Sequence, residues 1–251
     1  MEIDHPSPCG DGEKHPYAGC SSCGLRELCL PGDTDSHTMQ RIDGLVNHRR
    51  RLRRGEHLYR TGSALASLFA VRSGMFKSCV LHEDGREQVA GFHMMGDILG
   101  LDAISRGRHM CDIVALEDCE VCEIPFASLE QLAQELPPLQ HQLHRILSRE
   151  IVRDYGVMLL LGSMKAEERL AAFLLNLSQR FSARGYSANE FHLRMTRDEI
   201  GSYLGLKLET ISRVLSRFQH EGLIQVHHKH LRILDTERLR TILGQASTGD
   251  L

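Results

Sequence analysis

The chain has 251 residues, of which 41% are apolar and 25% are charged, and its net charge is −3 at neutral pH. This length is enough for two domains with cores of their own, and the composition excludes the disordered class, in which high net charge and low hydrophobicity prevent burial. The longest apolar stretches, such as Val157–Leu161, are far shorter than the ~20 residues that span a bilayer, and the N-terminus is charged where a signal peptide would be apolar. We therefore expect a cytoplasmic protein that does not enter the membrane.

Charge is distributed unevenly along the chain. Residues 165–251 contain thirteen Lys and Arg and ten Asp and Glu, whereas residues 1–164 contain seventeen and twenty-three. The more basic C-terminal third indicates an anionic partner there. The chain also has eight cysteines, which in a cytoplasmic protein are reduced thiols or metal ligands rather than disulfides.

The first 135 residues divide into a segment without a core and a β domain. Residues 1–35 are rich in Cys, Gly, Pro, Asp and Ser and show no helical or strand period, so something must hold this segment in place. From about Leu52 to Phe126, turn signals separate short β-type runs at Ser67–Arg72, Met75–Leu81, Glu87–His93, Met110–Leu116 and Glu120–Ile124. This rhythm predicts a jelly-roll-like β domain over residues 36–135.

A long helix is predicted over residues 136–164, because Pro137-Pro138 is a typical helix start. Apolar residues follow at heptad-like spacing, and an aspartate takes the remaining seam position: Leu147, Ile151, Asp154, Met158 and Leu161. The stripe continues for ~25 residues between two domains, so we predict that this helix forms a dimer. The alternative is a helix packed on its own β domain.

The C-terminal module, residues 165–251, has the pattern of a winged helix-turn-helix. A helical segment from Ala166 to Arg184 ends at Gly185. The sequence Thr196-Arg-Asp-Glu199 then forms a capping box that starts a helix ending at Gly205. A second helix runs from Leu208 to about His220 and is followed by Gly222.

Polar side chains on the second helix have the types that read DNA. Arg213 can bond a guanine edge with two hydrogen bonds, Glu209 can accept from cytosine, and Ser212 can reach a base or phosphate. Two apolar runs around His227-His-Lys-His230 predict a hairpin whose basic tip lies along phosphates. The alternative is an ordinary helical hairpin with a solvated face, but the capping box, the glycine turn and the hairpin together favour DNA binding.

Three cysteines form a compact group in the N-terminal segment that has no core of its own: Cys20, Cys23 and Cys29. A CxxC loop lets two sulfurs face one soft metal centre, and a third thiolate completes a face. The spacing is compatible with an iron–sulfur cluster or with a zinc site, and it also leaves open that the cysteines bind no metal. It does not choose a fourth ligand among Cys9, Cys79, Cys111, Cys119 and Cys122; Cys79 and Cys111 lie in strand-like runs, where buried inert thiols are expected.

At these residues the chain closely resembles the oxygen-sensing regulators of fumarate and nitrate respiration, the FNR type, in the superfamily of the cAMP receptor protein. The motifs that carry the resemblance run from about Cys20 to Leu234: Cys20-x2-Cys23-x5-Cys29-Leu-Pro, Phe69–Gly74, Gly91-Phe-His93, Val121–Phe126, Ala166–Ala171 and Glu209–Arg213. The resemblance implies an α+β fold: a cyclic-nucleotide-binding-like β domain, a dimerisation helix and a winged helix-turn-helix.

The same resemblance implies a function and a ligand set. In that family four cysteines hold a [4Fe–4S] cluster, which carries over to Cys20, Cys23, Cys29 and Cys122. Oxygen converts the cluster to a [2Fe–2S] form, and the dimer that binds palindromes of TTGAT-type half-sites is lost. The recognition residues that match are Glu209, Ser212 and Arg213. RNA polymerase is a further implied partner, through a loop such as His82–Arg86. Cys9 fits no ligand position and stays unassigned.

Two other functions compete with this interpretation. The cAMP-receptor branch has the same fold, but where its pocket uses a glutamate and an Arg-Ser pair, this chain has Gly96-Asp97 and His109-Met-Cys111; a cyclic phosphate would lose its donors. A zinc-stapled thiol redox protein is the alternative from another class. Nothing in the sequence indicates substrate turnover, so we expect a protein that is not an enzyme.

Overall fold

A computed structural model describes residues 20–25, 27–30, 35–46, 48–81 and 85–244. The first half of this chain is a β-roll of two antiparallel sheets, ordered β1-β8-β3-β6 and β2-β7-β4-β5. Its strands are β1 (His48–Leu52), β2 (His57–Tyr59), β3 (Ser67–Ser73), β4 (Met75–Leu81), β5 (Glu87–Met94), β6 (Ile98–Leu99), β7 (Asp112–Ala115) and β8 (Cys119–Pro125). Side chains such as Phe69, Phe76, Ile113 and Val121 fill the roll.

The five predicted strand runs are confirmed as β3, β4, β5, β7 and β8. The predicted run Met110–Leu116 is shorter in the structure, so Cys111 lies just before β7 and is only half-buried. Sequence reasoning missed β1, β2 and β6. β1 consists mainly of basic residues and buries only Leu52 at its end, while β2 and β6 are too short to show an alternating pattern.

Helices flank the roll. α1 (Ser36–Leu45) begins at Asp35, whose carboxylate accepts from the Thr38 amide at 2.9 Å. α2 (Phe126–Glu135) follows β8, and the long α3 spans Pro137–Ser163 with proline in its first turn, as predicted. A 3-10 turn at Cys20–Ser22 precedes α1. No helix among the described residues is both long and apolar enough to cross a membrane.

The C-terminal module contains α4 (Ala166–Ser182), β9 (Glu190–His192), α5 (Arg197–Leu204), α6 (Leu208–His220), β10 (Ile224–His227), β11 (His230–Ile233) and α7 (Thr236–Ile242). The three strands form one sheet in the order β10-β11-β9, which adds a strand to the predicted hairpin. α4 ends two residues earlier than predicted. The β-roll, the long helix and the winged module together confirm the expected α+β fold.

One apolar core continues from the roll into the C-terminal module. Phe92 of β5 lies against Phe173 of α4 and Tyr203 of α5, with ring centroids 5.9 and 5.2 Å away. Arg180 of α4 reaches back to donate to the Phe92 carbonyl at 2.9 Å. The module is therefore packed directly on the sheet that contains β4 and β5.

Candidate nucleic-acid interface and cysteine site

The turn between α5 and α6 is built as the sequence predicts. Thr196 Oγ1 accepts from the Glu199 amide at 3.1 Å, and Glu199 Oε2 accepts from the Thr196 amide at 2.7 Å. Gly205 ends α5 with φ of 63°, a conformation that glycine adopts without strain. A Cβ on Gly201 would lie 2.5 Å from the Leu206 carbonyl oxygen. Both glycines therefore permit the tight approach of the two helices.

α6 presents a polar face to solvent. Its apolar face is buried in the module through Ile211, Val214, Leu215 and Phe218. Glu209 and Arg213, one helical turn apart, are exposed, and Ser212 beside them is half-buried. Arg213 Nη2 lies 3.5 Å from Thr210 Oγ1. The geometry is that of a helix whose outer face can enter a major groove.

Sequence reasoning missed one residue of this surface. Arg197, the first residue of α5, is exposed and donates through Nη1 to Ser212 Oγ at 3.2 Å. It therefore fixes the hydroxyl of a predicted recognition residue from the neighbouring helix. A signal for this role was present in the sequence. Arg197 lies inside the capping box but takes no part in the cap, so its side chain is available for another contact.

The predicted hairpin is β10 and β11, with His227 opposite His230. Its turn residue His228 has φ of 56°, and Lys229 is exposed, with Nζ 3.4 Å from the Arg194 carbonyl oxygen. His230 instead faces Glu190 of β9 at 2.8 Å. The basic tip that can meet phosphates consists of His227, His228 and Lys229.

The module meets the roll through α4 and α5 rather than α6, and the polar contacts of α5 are formed with β4 and β5. Lys77 Nζ of β4 donates to Glu199 Oε1 at 3.2 Å and to Glu87 of β5 at 2.9 Å. The Val89 amide donates to Ser202 Oγ at 2.9 Å. Because these contacts use α4 and α5, they orient the module while leaving the outer face of α6 exposed.

The cysteine segment packs against the opposite sheet of the roll. Cys20, Cys29 and Cys122 lie against one apolar core that contains Leu30 and Ile42. Cys122 is on β8, opposite Arg49 of β1 and Ala70 of β3.

The thiols affect one another electrostatically. Burial, together with Asp43, Cys122 and Cys23, raises the pKa of Cys20 to about 12. Burial and the neighbouring Cys20, Cys122 and Cys23 raise the pKa of Cys29 to about 12, against a backbone hydrogen bond that lowers it. Burial also raises the pKa of Cys122. The structure thus places Cys20, Cys29 and Cys122 against one core, with Cys23 near enough to raise the pKa of Cys20 and of Cys29.

The donor set suits a soft metal centre. Four thiols match the usual ligands of an iron–sulfur cluster, and also those of zinc, although the Asp43 carboxylate lies beside Cys20. Within the described ranges, no three His, Cys, Asp or Glu side chains have the arrangement that would hold a single metal ion. The fit to a cluster therefore rests on the chemistry and clustering of the thiols.

The other cysteines lie elsewhere. Cys79 and Cys119 are buried in the roll, with Cys119 Sγ 3.3 Å from the Met75 carbonyl oxygen. Cys111 Sγ lies 3.6 Å from Asp102. Burial first and nearby carboxylates second raise the pKa of Cys79 and of Cys111 to about 12, as expected of unreactive thiols. Cys9 lies outside the described residues.

The predicted seam of α3 faces outward. Ile151, Asp154, Met158 and Leu161 are exposed, Ile151 and Met158 by 52% and 59%, and Leu147 is half-buried. Val152, Tyr155 and Leu159 widen the exposed apolar surface. The arginine beside Asp154, Arg153, bonds Glu150 at 2.9 Å and Asp97 at 3.5 Å.

The residues at the positions of the cyclic-nucleotide ligands are bound to other side chains of this chain. His109, only 3% exposed, stacks on Tyr59 with ring centroids 3.6 Å apart and lies 3.5 Å from Asp102. Asp97 is buried and bound by Arg180 and Arg184. His109 is buried against its own neighbours, and Asp97 is a carboxylate, which has no proton to donate to a cyclic phosphate.

Comparison with known proteins agrees with this architecture. Residues 49–135 match the cyclic nucleotide-binding domain, and residues 168–242 match the Crp-like helix-turn-helix domain. The structure is similar to that of FixK2 from Bradyrhizobium japonicum, with a TM-score of 0.74 and 31% identity over 80% of this chain and 98% of that one.

Curated relatives align over nearly the whole length. The transcriptional regulatory protein btr of Bordetella pertussis is 45% identical over 92% of this chain and 95% of its own. The fumarate and nitrate reduction regulatory protein of Escherichia coli K12 is 44% identical over 90% of each chain. The chain therefore belongs to the CRP/FNR family of DNA-binding transcription regulators, in its fumarate and nitrate reduction branch, and is a regulator rather than an enzyme.

Proposed function

We propose that this chain is an oxygen-responsive transcription regulator whose [4Fe–4S] cluster promotes dimerisation and DNA binding under anaerobic conditions. Cys20, Cys23, Cys29 and Cys122 are the proposed ligands. The observation that carries the proposal is the convergence of these four thiols from two distant parts of the chain, on the face of the roll next to α3. When bound, the cluster supplies an oxygen-labile centre that holds the four thiolates together.

The chain's own residues perform the remaining steps. The thiolates fix the segment around Cys29 against β8 and α3. On α3, Leu147, Ile151, Asp154, Met158 and Leu161 form the proposed contact with a second copy of the chain, which sets the distance between the two copies of α6. This division corresponds to a cluster segment at 1–35, a sensor roll at 36–135, a dimerisation helix at 136–164 and a DNA-binding module at 165–251.

Base reading is assigned to α6 and phosphate contact to the wing. Arg213 and Glu209 are exposed on the outer face, and Ser212 is oriented by Arg197. In a dimer these residues meet two half-sites of TTGAT type related by a two-fold axis. Lys229 at the hairpin tip contacts phosphate without reading sequence. RNA polymerase is the proposed protein partner, through the loop that includes residues 82–84, which lie outside the described residues.

Anaerobic purification tests the cofactor directly. We expect a brown protein with about four irons and a similar amount of acid-labile sulfide per chain. A colourless protein with a single zinc would contradict the proposal and favour a zinc-stapled segment. The single variants Cys79→Ser and Cys111→Ser, at roll cysteines outside the proposed ligand set, are matched controls, because both should keep the full iron content.

A further inference from the structure

A buried glutamine links the cysteine segment to the long helix. Gln142 of α3 is only 7% exposed, and its Nε2 donates to the backbone carbonyl of Cys29 at 2.9 Å. A side-chain amide is costly to bury unless it is hydrogen-bonded. The placement of α3 at Gln142 is therefore linked to the placement of the Cys29 carbonyl, and Cys29 is a proposed ligand residue.

The neighbours of Gln142 hold the same short segment. Leu30, fully buried, packs in one core with Leu139 and Ile146 of α3. Arg149 Nη2 lies 3.4 Å from the Leu28 carbonyl oxygen. Positions 139, 142, 146 and 149 follow the three- and four-residue spacing of one helix face. A single stripe of α3 therefore contacts residues 28–30.

The exposed seam of α3 is a different stripe of the same helix. At 100° per residue, the five seam residues lie on average about 120° around the helix axis from the stripe that contains Gln142. A shift or rotation of α3 that follows the Cys29 segment therefore moves the seam as well. α3 thus contacts the cysteine segment on one stripe and exposes apolar residues on another.

We propose that Gln142 is the positioning residue that makes dimerisation through α3 depend on the state of the cysteine site. The inference rests on the proposed function, because it takes Cys29 as a ligand and the α3 seam as the dimer contact. Gln142 touches no proposed ligand sulfur; it acts through the Cys29 carbonyl. Without this donor the Cys29 carbonyl loses its hydrogen bond to α3, and the segment is held on the helix less firmly, by the packing of Leu30 and the Arg149 contact.

The test compares Gln142→Met with Gln140→Met. Methionine has nearly the length and helix propensity of glutamine but no donor, so the fold should be retained. Gln140 lies on the same helix and is exposed, which makes it the matched control. The first readout uses cluster-free protein: hydrogen exchange of the Leu28 and Cys29 amides, both bonded to the Leu25 carbonyl at 3.0 Å. We expect exchange about tenfold faster in Gln142→Met only.

The second readout is the linkage itself. For each anaerobic protein, sedimentation gives the dimer dissociation constant before and after exposure to air, and iron is counted in both samples. We expect Gln142→Met to bind iron like the parent. The ratio of its aerobic to its anaerobic dimer dissociation constant should be about tenfold smaller than that of the parent, and so closer to one. Gln140→Met should keep the parent ratio.

The outcomes separate this inference from the function on which it rests. A parent that binds no iron would contradict the proposed function. The hydrogen-exchange measurement would still test the Gln142 contact, because it uses cluster-free protein. Parental exchange in Gln142→Met would overturn the inference. A lower unfolding temperature with an unchanged ratio of dissociation constants would also overturn it, because that result means Gln142 is merely structural.

Discussion

Asp97, in the turn between β5 and β6, and Arg184, just beyond α4, form a buried ion pair of 2.8 Å across the junction of the roll and the DNA-binding module. Arg180 of α4 and Arg153 of α3 approach the same carboxylate. One aspartate therefore ties together the roll, the long helix and the helix that begins the C-terminal module. Asp97 also accepts from the Met94 amide at 2.9 Å, which fixes the turn itself.

Replacing Asp97 with Asn should destabilise the cluster-free protein by about 3–5 kcal/mol, because it leaves buried guanidinium groups without their counter-charge. Urea unfolding measures the loss. Glu130→Gln, an exposed carboxylate on α2, is the control and should unfold like the parent. Equal unfolding curves for Asp97→Asn and the parent would show that the arginine cluster does not depend on this carboxylate.

The same carboxylate predicts a dependence of stability on pH. Burial alone would raise the pKa of Asp97, but Arg180, Arg153 and Arg184 lower it to about 2. The folded pKa is thus below the unfolded value of about 3.9, so the stabilisation is complete above that value and is lost as the pH falls toward 2. Between pH 4 and 2, roughly, the parent should therefore lose more stability than Asp97→Asn. Parallel curves would exclude Asp97 as the titrating group.

Cys122→Ser should abolish cluster assembly and anaerobic DNA binding, because a hydroxyl is a poor substitute for a soft thiolate. Cys79→Ser and Cys111→Ser should retain their iron, since both residues lie away from the four-cysteine group. Iron analysis of the three proteins, purified side by side without oxygen, makes the comparison. Full iron content in Cys122→Ser would remove β8 from the ligand set.

Arg213→Ala should weaken binding by about 1–3 kcal/mol and relax discrimination at one base pair in each half-site, as expected for the loss of a two-bond guanine contact. Lys229→Ala should instead weaken all sequences alike and reduce the salt dependence of binding. Titrations on cognate and scrambled duplexes at several salt concentrations distinguish the two. If Arg213→Ala lost affinity equally for both duplexes, Arg213 would not read a base.

Asp154→Ala should dimerise and bind DNA in air. In a parallel α3 dimer the Asp154 carboxylate meets that of its symmetry mate, and burying two like charges opposes the pairing that Ile151 and Met158 favour. Arg153, its neighbour, is already bonded to Glu150 and Asp97. Sedimentation of the aerobic variant at micromolar concentration is decisive. A monomeric variant would contradict the claim that repulsion between the two Asp154 carboxylates opposes dimerisation.

The parts of the fold that repeat a simple pattern were predictable from sequence. The capping box at Thr196, the glycine turn at Gly205 and the proline start of α3 each depend on one local interaction, and each is confirmed. The short β-type runs of β3, β4 and β5 were equally readable, because turn residues separate them and each strand buries several of its residues. Local chemistry and local burial suffice for such elements.

Relationships between distant residues were not predictable. Gln142 lies in an ordinary helical sequence, and only the fold places its amide beside Cys29. Asp97 was read as the poor equivalent of a nucleotide ligand, whereas its role in the structure comes from arginines of α3 and α4. Residue spacing likewise left the partner of the three N-terminal cysteines open. Resemblance to a family supplied Cys122, and the structure packs it against the same core as Cys20 and Cys29.

The most direct test of the account is one anaerobic sample, measured twice. Its affinity for a duplex with a TTGAT-type palindrome, and its iron content, are determined without oxygen and again after exposure to air. The account predicts tight binding with about four irons per chain, then loss of both iron and binding in air, to a level near that of non-specific DNA. Equal affinity before and after air, whatever the iron content, would contradict the claim that this regulator responds to oxygen through its cysteines.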